Sequence, residues 1–213
     1  MSPRIWLVRH GETEWSKVGR HTGRTDLALT SVGEDQAREA ATGMSTVAPG
    51  LVLCSPLRRA RRTAELAGLR PDDYDDDLME WDYGAWEGLT TTEIRALRGD
   101  PGWRIWDAPV PPGATPGEQL DDVQRRARRV IDRCRPFLTE GHDCALVAHG
   151  HFLRVLTATW LDLPPVAARL FALEPASRSS LGFEREQQVI TSWNAKALCG
   201  AHHNVGIEFA RRG

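Results

Sequence analysis

Three short apolar runs, at residues 4–8, 51–54 and 144–148, each stop at a polar loop, and each is followed by a stretch with helical spacing. Four or five apolar residues without alternation suit a strand buried on both faces, and such strands occur in parallel sheets covered by helices. The helices are legible in turn. Thr30 or Ser31 can cap one that continues through residues 34–44 until Pro49 and Gly50, and Ser55 with Pro56 opens a second that stops at Gly68. Residues 91–98 predict a short helix and 152–161 another; 118–137 predicts a longer one with Val123, Ala127, Val130, Ile131 and Cys134 on one face. Residues 179–183 and 188–193 flank a charged turn and predict an antiparallel hairpin. No repeat or linker divides the chain. The expected architecture is one α/β domain over residues 1–213, a three-layer α/β/α sandwich around a mostly parallel mixed sheet.

Two of the strands end alike, in Val8-Arg9-His10-Gly11 and Ala148-His149-Gly150. Ligands of open α/β sheets collect beyond the carboxyl ends of strands where connections diverge, so adjacent strands would bring the two histidines face to face. The glycine after each permits a sharp turn and a close approach to a ligand. A neutral imidazole nitrogen can attack phosphorus and be released when water hydrolyses the phosphohistidine. Such a site otherwise needs cations and donors around three equatorial oxygens. Arg9 adjoins His10, and the stretch Ser55-Pro56-Leu57-Arg58-Arg59-Ala60 carries an arginine and a helix N-terminus to the same edge. A leaving alkoxide needs a proton. Glu80, among Leu78, Trp81 and Tyr83, has the apolar company suited to a general acid, with Glu12, Asp82 and Glu87 as competing carboxylates.

The motifs Arg9-His10-Gly11-Glu12-Thr13, Arg20-His21-Thr22-Gly23-Arg24-Thr25-Asp26, Ser55 to Ala60, Leu78-Met79-Glu80 with Trp86-Glu87-Gly88, and Ala148-His149-Gly150-His151 resemble the histidine phosphatase superfamily, of phosphoglycerate-mutase-like fold. They stand in the family's order across residues 9–151. The resemblance implies that His10 is the phosphorylated nucleophile, that Arg9, Arg59 and His149 form the phosphate pocket, and that Glu80 is the general acid and later the base. Arg59 rather than Arg58 follows from alignment on Ala60. Ser16, Thr22 and Gly23 would contact phosphate or substrate. Further details, among them Gly150-His151-Phe152-Leu153-Arg154, look most like the branch that holds yeast-type sedoheptulose bisphosphatase and mycobacterial acid phosphatases. Mutases carry a long basic insertion after the glutamate motif, whereas only about thirty residues with few cations separate Gly88 from Glu118 here, a short excursion for a loop-rich segment. That favours hydrolysis of a small phosphomonoester, with a sugar phosphate as the expected substrate, over phosphoglycerate mutase chemistry. A phospho-ligand sensor without catalysis is the reading from another class, and the complete residue set speaks against it.

Acidic and basic residues nearly cancel, 29 against 27, for a net charge of -2, which excludes a general nucleic-acid binder. All cations but Lys17 and Lys196 are arginine, a bias that GC-rich coding explains; beside a nucleophile, though, the guanidinium fork fits phosphate. Arg125, Arg126, Arg128 and Arg129 read as a solvated helix face, and the acidic run of Asp72, Asp73, Asp75, Asp76 and Asp77 as a solvated loop. Trp6, Trp160 and Trp193 read as core, while Trp15, Trp81, Trp86, Trp103 and Trp106 fall in loops near the expected site. His149 with His151, and His202 with His203, raise a metal centre, but no carboxylate stands at i, i+4, so no metal or cofactor is expected. His151, Arg154, Gly150, His202 and His203 are candidate pocket lining. Cys54, Cys134, Cys144 and Cys199 lack paired spacing and predict free thiols. With no apolar stretch resembling a leader or a membrane span, the expected compartment is the cytoplasm. The expected partner is a small phosphorylated metabolite, without nucleic acid or membrane; homodimerisation follows from fold analogy alone.

Overall fold

The computed structural model of the protein describes residues 2–196. His202, His203 and Cys199 lie outside the described residues.

Strand β1 (Ile5–Arg9) leads through a short helix α1 (Glu14–Lys17) to α2 (Ser31–Met44), then β2 (Leu51–Cys54) and α3 (Arg58–Leu66). A two-residue strand β3 (Asp73–Tyr74), helix α4 (Thr91–Arg98) and helix α5 (Leu120–Thr139) precede β4 (Cys144–Ala148), α6 (Gly150–Trp160) and the hairpin β5 (Arg178–Glu184) and β6 (Gln187–Ala195). The strands form one sheet in the order β3-β2-β4-β1-β5-β6. β3, β2, β4 and β1 run parallel, and β5 and β6 are antiparallel.

Side-chain alternation explains why the short apolar runs are strands with helices on both sides. Ile5, Leu7, Leu51, Leu53, Cys144 and Leu146 point to one face and pack with Val123, Ala127, Val130 and Ile131 of α5 and with Phe152, Leu156 and Trp160 of α6. Val8, Val52, Cys54, Ala145 and Val147 point to the other, against Ala40 and Met44 of α2 and Ala60 and Ala64 of α3. Both faces are buried, so these strands are apolar throughout except for Arg9 at the carboxyl end of β1.

Helix α2, reached from β1, therefore lies on one face and α6, which follows β4, on the other, although the two strands are neighbours paired Arg9 to Ala148 at their carboxyl ends. This divergence opens the crevice in which ligands of such sheets sit.

Three local readings are corrected. Ser55 does not cap α3: the N-cap is Leu57, without a side-chain bond, and Ser55 is recruited elsewhere. Arg126 is buried rather than solvated. The acidic run is not a free loop, since Asp77 pairs with Arg129 and Asp73 and Asp75 with Arg133 of α5. The run contributes β3 and a 3₁₀ turn at Asp76–Leu78 that leads directly into Glu80. Among the described residues no helix is long and apolar enough to cross a membrane.

Candidate active site

His10 and His149 each follow the last residue of adjacent parallel strands. The His10 amide continues the ladder to the Ala148 carbonyl at 2.9 Å, and the ring centroids are 5.1 Å apart. Gly11 is required for a different approach from the one expected. A Cβ there would lie 2.2 Å from the Gly33 carbonyl oxygen, so the histidine loop packs backbone to backbone on the first turn of α2. Gly150 does meet a functional group: its Cβ position is 3.2 Å from the Arg9 guanidinium carbon.

His10 Nδ1 lies 2.7 Å from the Gly11 carbonyl, which can only accept, so Nδ1 carries the proton and Nε2 keeps a lone pair. Burial, then the charges of Arg59 and Arg9, hold the imidazolium form of His10 well below the usual histidine range. His149 is held neutral in the same way, by burial first and then by Arg59. Its Nδ1 accepts from Arg59 Nε at 3.2 Å, so its Nε2 carries the proton and donates to Ser55 Oγ at 2.7 Å. Both ring nitrogens are thus engaged with the protein, and His149 orients Arg59 beside His10.

Arg59 is fully buried and its remaining bonds go to the carbonyls of Thr22, Gly23 and Thr25, at 2.8 to 3.2 Å. One of its five N–H groups is left over. The 22–25 loop is clamped from the other side by Glu87, which accepts from the amides of Gly23 and Thr25. Arg9 donates from Nη1 to the Leu173 carbonyl, while its buried Nε has no partner. An unpaired buried guanidinium donor beside His10 is a place for an anion oxygen.

Glu80 is not surrounded by apolar groups alone. Oε1 accepts from the amides of Trp81 and Phe152 at 2.9 and 2.8 Å, and Oε2 from that of His151 at 3.0 Å. The first turn of α6 therefore anchors the carboxyl. The competing carboxylates have structural employment: Glu12 accepts from the Thr30 hydroxyl, Asp82 from Thr115 and the Gly84 amide, and Glu87 from the clamped loop.

A polar cavity of about 240 Å³ brings together Arg9, His10, Ser16, Thr22, Glu80, Gly150, His151 and Arg154, with His21, Tyr83, Arg20 and Leu173. Arg59, His149 and Gly23 lie behind this lining, not in it. His21, Tyr83, Trp81 and Trp106 surround His151, whose Nδ1 is 2.6 Å from the Tyr83 hydroxyl. Burial lowers the pKa of His21 to about 4. Among the described residues no three His, Cys, Asp or Glu side chains converge as a metal site would require. A larger groove of about 750 Å³ between α2, α3 and β3 contains none of these groups.

Besides the cavity-lining Arg20, His21, Tyr83 and Leu173, two residues behind the site escaped the sequence reading. Ser55 read as a helix cap, and only the pairing of β2 with β4 shows that it meets His149. Arg126 sits three residues after Val123 and one before Ala127, inside the apolar stripe of α5, which was the available signal. It pairs with Glu118 through two bonds of 2.6 and 2.8 Å and donates to the carbonyls of Asp77, Met79 and Glu80, bracing the turn that presents Glu80.

Two strand-end histidines, two buried guanidiniums and an anchored carboxyl around one small cavity define an anion-handling site of the kind used for phosphoryl transfer. The description of the histidine phosphatase superfamily, branch 1, matches residues 5–196. The chain belongs to this superfamily, and within it stands with the phosphoric monoester hydrolases. It is 40% identical over 183 residues to an acid phosphatase of Mycobacterium tuberculosis, covering 85% of this chain and 87% of the relative. It is 38% identical over 194 residues to sedoheptulose 1,7-bisphosphatase of Saccharomyces cerevisiae, covering 76% and 69%. A probable phosphoglycerate mutase, GpmB of Escherichia coli, is 31% identical over 89% of each chain. The solved structure of an M. tuberculosis open reading frame product superposes with a TM-score of 0.84 at 36% identity, over 92% of this chain and 100% of that one.

Proposed function

We propose that the protein hydrolyses small phosphomonoesters, sugar phosphates foremost, through a phosphohistidine on His10. The observation that carries this reading is the placement of His10: its Nδ1 lies 2.7 Å from the Gly11 carbonyl, which leaves Nε2 with the lone pair, in the wall of a cavity where Arg9 has an unpaired buried donor. Nε2 attacks phosphorus, the ester P–O bond breaks, and the positive charge that develops on the ring is stabilised by the Nδ1–H bond to the Gly11 carbonyl. Arg9, with the field of Arg59 behind it, offsets charge on the equatorial oxygens.

Glu80 supplies the proton to the departing alkoxide. Oε1 already accepts two amide bonds and Oε2 one, so Oε2 is the oxygen with room for that proton. In the second step Glu80 takes a proton from water as its oxygen attacks phosphorus, the Nε2–P bond breaks and inorganic phosphate leaves. Ser16, Thr22, Gly150, His151 and Arg154 are the substrate-facing residues. We assign the cytoplasm as compartment, because the buried cysteines Cys54, Cys134 and Cys144 are free thiols suited to a reducing environment.

Turnover of p-nitrophenyl phosphate, with and without chelator, tests the reading. Wild-type protein should release phosphate with EDTA present and carry an acid-labile phosphoryl group after rapid quench. His10→Ala should show neither. Hydrolysis that persists in His10→Ala would overturn the mechanism.

A further inference from the structure

The cavity at His10 continues past the histidines. A second cavity of about 480 Å³ adjoins it, and the two share His21, Thr91 and His151 as a common wall. Only the first contains His10, Arg9 and Glu80, so a phosphoryl group has its place there and the remainder of a substrate points toward the second. Its walls are Ile105 and Trp106, with Arg104, Arg169 and Leu170 at the rim.

The charges around this second space do not balance. Arg104 and Arg169 lie 2.6 and 3.4 Å from the two oxygens of one carboxylate, Asp107. Arg154 stands at the junction. It lines the first cavity, and its guanidinium carbon rests 4.5 Å over the Trp106 ring. Its donors are held by the carbonyls of Ala168 and Arg169, and no carboxylate is within ion-pair distance of it among the described residues. Carbonyl acceptors fix a guanidinium without neutralising it. At the second cavity two arginines, Arg104 and Arg169, therefore share one carboxylate, while Arg154 at the junction has Glu80 across the first cavity as an opposing charge, in a protein whose total charge is -2.

We infer that the second cavity is a subsite for a second anionic group, phosphate or carboxylate, on the leaving-group side of the substrate, bound by Arg104 and Arg169 with Arg154 at the junction. The inference rests on the hydrolase reading above and narrows it. The preferred substrates are phosphomonoesters that carry another anion, not simple monoesters. Trp106 and Ile105 give the intervening carbon chain an apolar wall, while Thr91, His21 and His151 give it a polar one.

The test compares kcat/KM within substrate pairs that share a skeleton. Fructose 1,6-bisphosphate against fructose 1-phosphate reads a second phosphate; 6-phosphogluconate against glucose 6-phosphate reads a carboxylate. The proteins are the full chain and the double variant R104Q/R169Q, whose altered side chains are both substantially exposed and leave the core intact. At least one pair should favour the doubly anionic member by about tenfold in the wild type, the equivalent of one good guanidinium–anion contact. That preference should fall below about threefold in the double variant and shrink with added salt, because rim charges are screened. A variant that merely loses general activity keeps the ratio, and that result overturns the subsite. So does a wild-type ratio near unity in both pairs while p-nitrophenyl phosphate is turned over, which leaves the hydrolase reading standing. Failure to turn over p-nitrophenyl phosphate removes the hydrolase reading and this subsite with it.

Discussion

In the proposed mechanism the bond from His10 Nδ1 to the Gly11 carbonyl decides the chemistry, since it fixes which nitrogen can attack. In that mechanism the neighbouring arginines act twice, attracting the phosphoryl oxygens and, after burial, helping to keep His10 unprotonated. Because burial and these charges lower the pKa of His10 from an ordinary value near 6.5, the lone pair is lost only as pH falls through the lowered value. The acid limb of kcat/KM, corrected for ionisation of the ester, should therefore lie below about pH 6.5; a limb at or above that value in a pH–rate profile would contradict the assignment. Glu80 makes a separable contribution. Glu80→Gln should slow alkyl phosphates by about 10²- to 10⁴-fold but p-nitrophenyl phosphate far less, because nitrophenolate departs without a proton. Equal losses on both substrates would count against Glu80 as the acid. The candidates themselves were legible, His10 and His149 as histidines after strands and Glu80 from its apolar neighbours. The anchoring of Glu80 by three amides was not, because it depends on where the first turn of α6 meets a loop 71 residues earlier in the chain.

Elements position these residues through contacts that sequence periodicity shows only in part. The helix α5 was legible as an amphipathic stripe, yet its arginines were assigned to one solvated face. Arg129 and Arg133 hold the acidic run, and Arg126, one step round the helix, is buried against Glu118 and three carbonyls. An arginine inside an apolar stripe needs a buried partner, and Glu118 lies just before the helix rather than at helical spacing within it, so pattern alone did not pair them. Arg126→Met should leave the Glu118 carboxylate with only its longer, 3.5 Å pair to Arg24 and cost about 3 kcal/mol of stability, the lower end for breaking a buried pair. Urea denaturation measures this. The same variant should lose more activity on alkyl phosphates than on p-nitrophenyl phosphate, since the turn carrying Glu80 loses its brace. A stability change within about 0.5 kcal/mol, typical of a surface substitution, would show that the pair is not structural. Glycine at the histidine loop gives a matching case. Gly11→Ala places a methyl group against the Gly33 carbonyl and should displace His10, read as lost turnover in a protein that still unfolds cooperatively.

For the whole molecule, the apolar runs and the order of strands and helices conveyed a sheet covered on both faces, and the repeated histidine at strand ends conveyed where its crevice lies. Register, and the meeting of loops from residues 20–25, 80–90 and 103–106 around the two adjoining cavities, depend on long-range packing that local pattern does not encode. The result is a site with an energetic consequence for the entire fold. His10 and His149 are buried and His21 and His151 half-buried, and each has its pKa lowered chiefly by desolvation, so all four are neutral near pH 7. Their folded values lie below the unfolded value of about 6.5, so on acidification the unfolded chain takes up protons first. Stability from these groups is complete above about pH 6.5 and is lost as pH falls through the folded values. For His21, whose folded value is about 4, the loss by pH 4 is of the order of 3 kcal/mol. Carboxylates such as Glu34, Asp73 and Glu93, lowered mainly by hydrogen bonds at the surface, act in a more acidic window and are screened. Between pH 7 and pH 5 the histidines therefore dominate. Urea midpoints should fall steadily over that interval, and His21→Phe, which keeps an aromatic ring against Tyr83 and Trp103 but cannot bind a proton, should show a shallower decline. Midpoints that stay flat from pH 7 to pH 5, or a slope unchanged by His21→Phe, would contradict the buried neutral cluster.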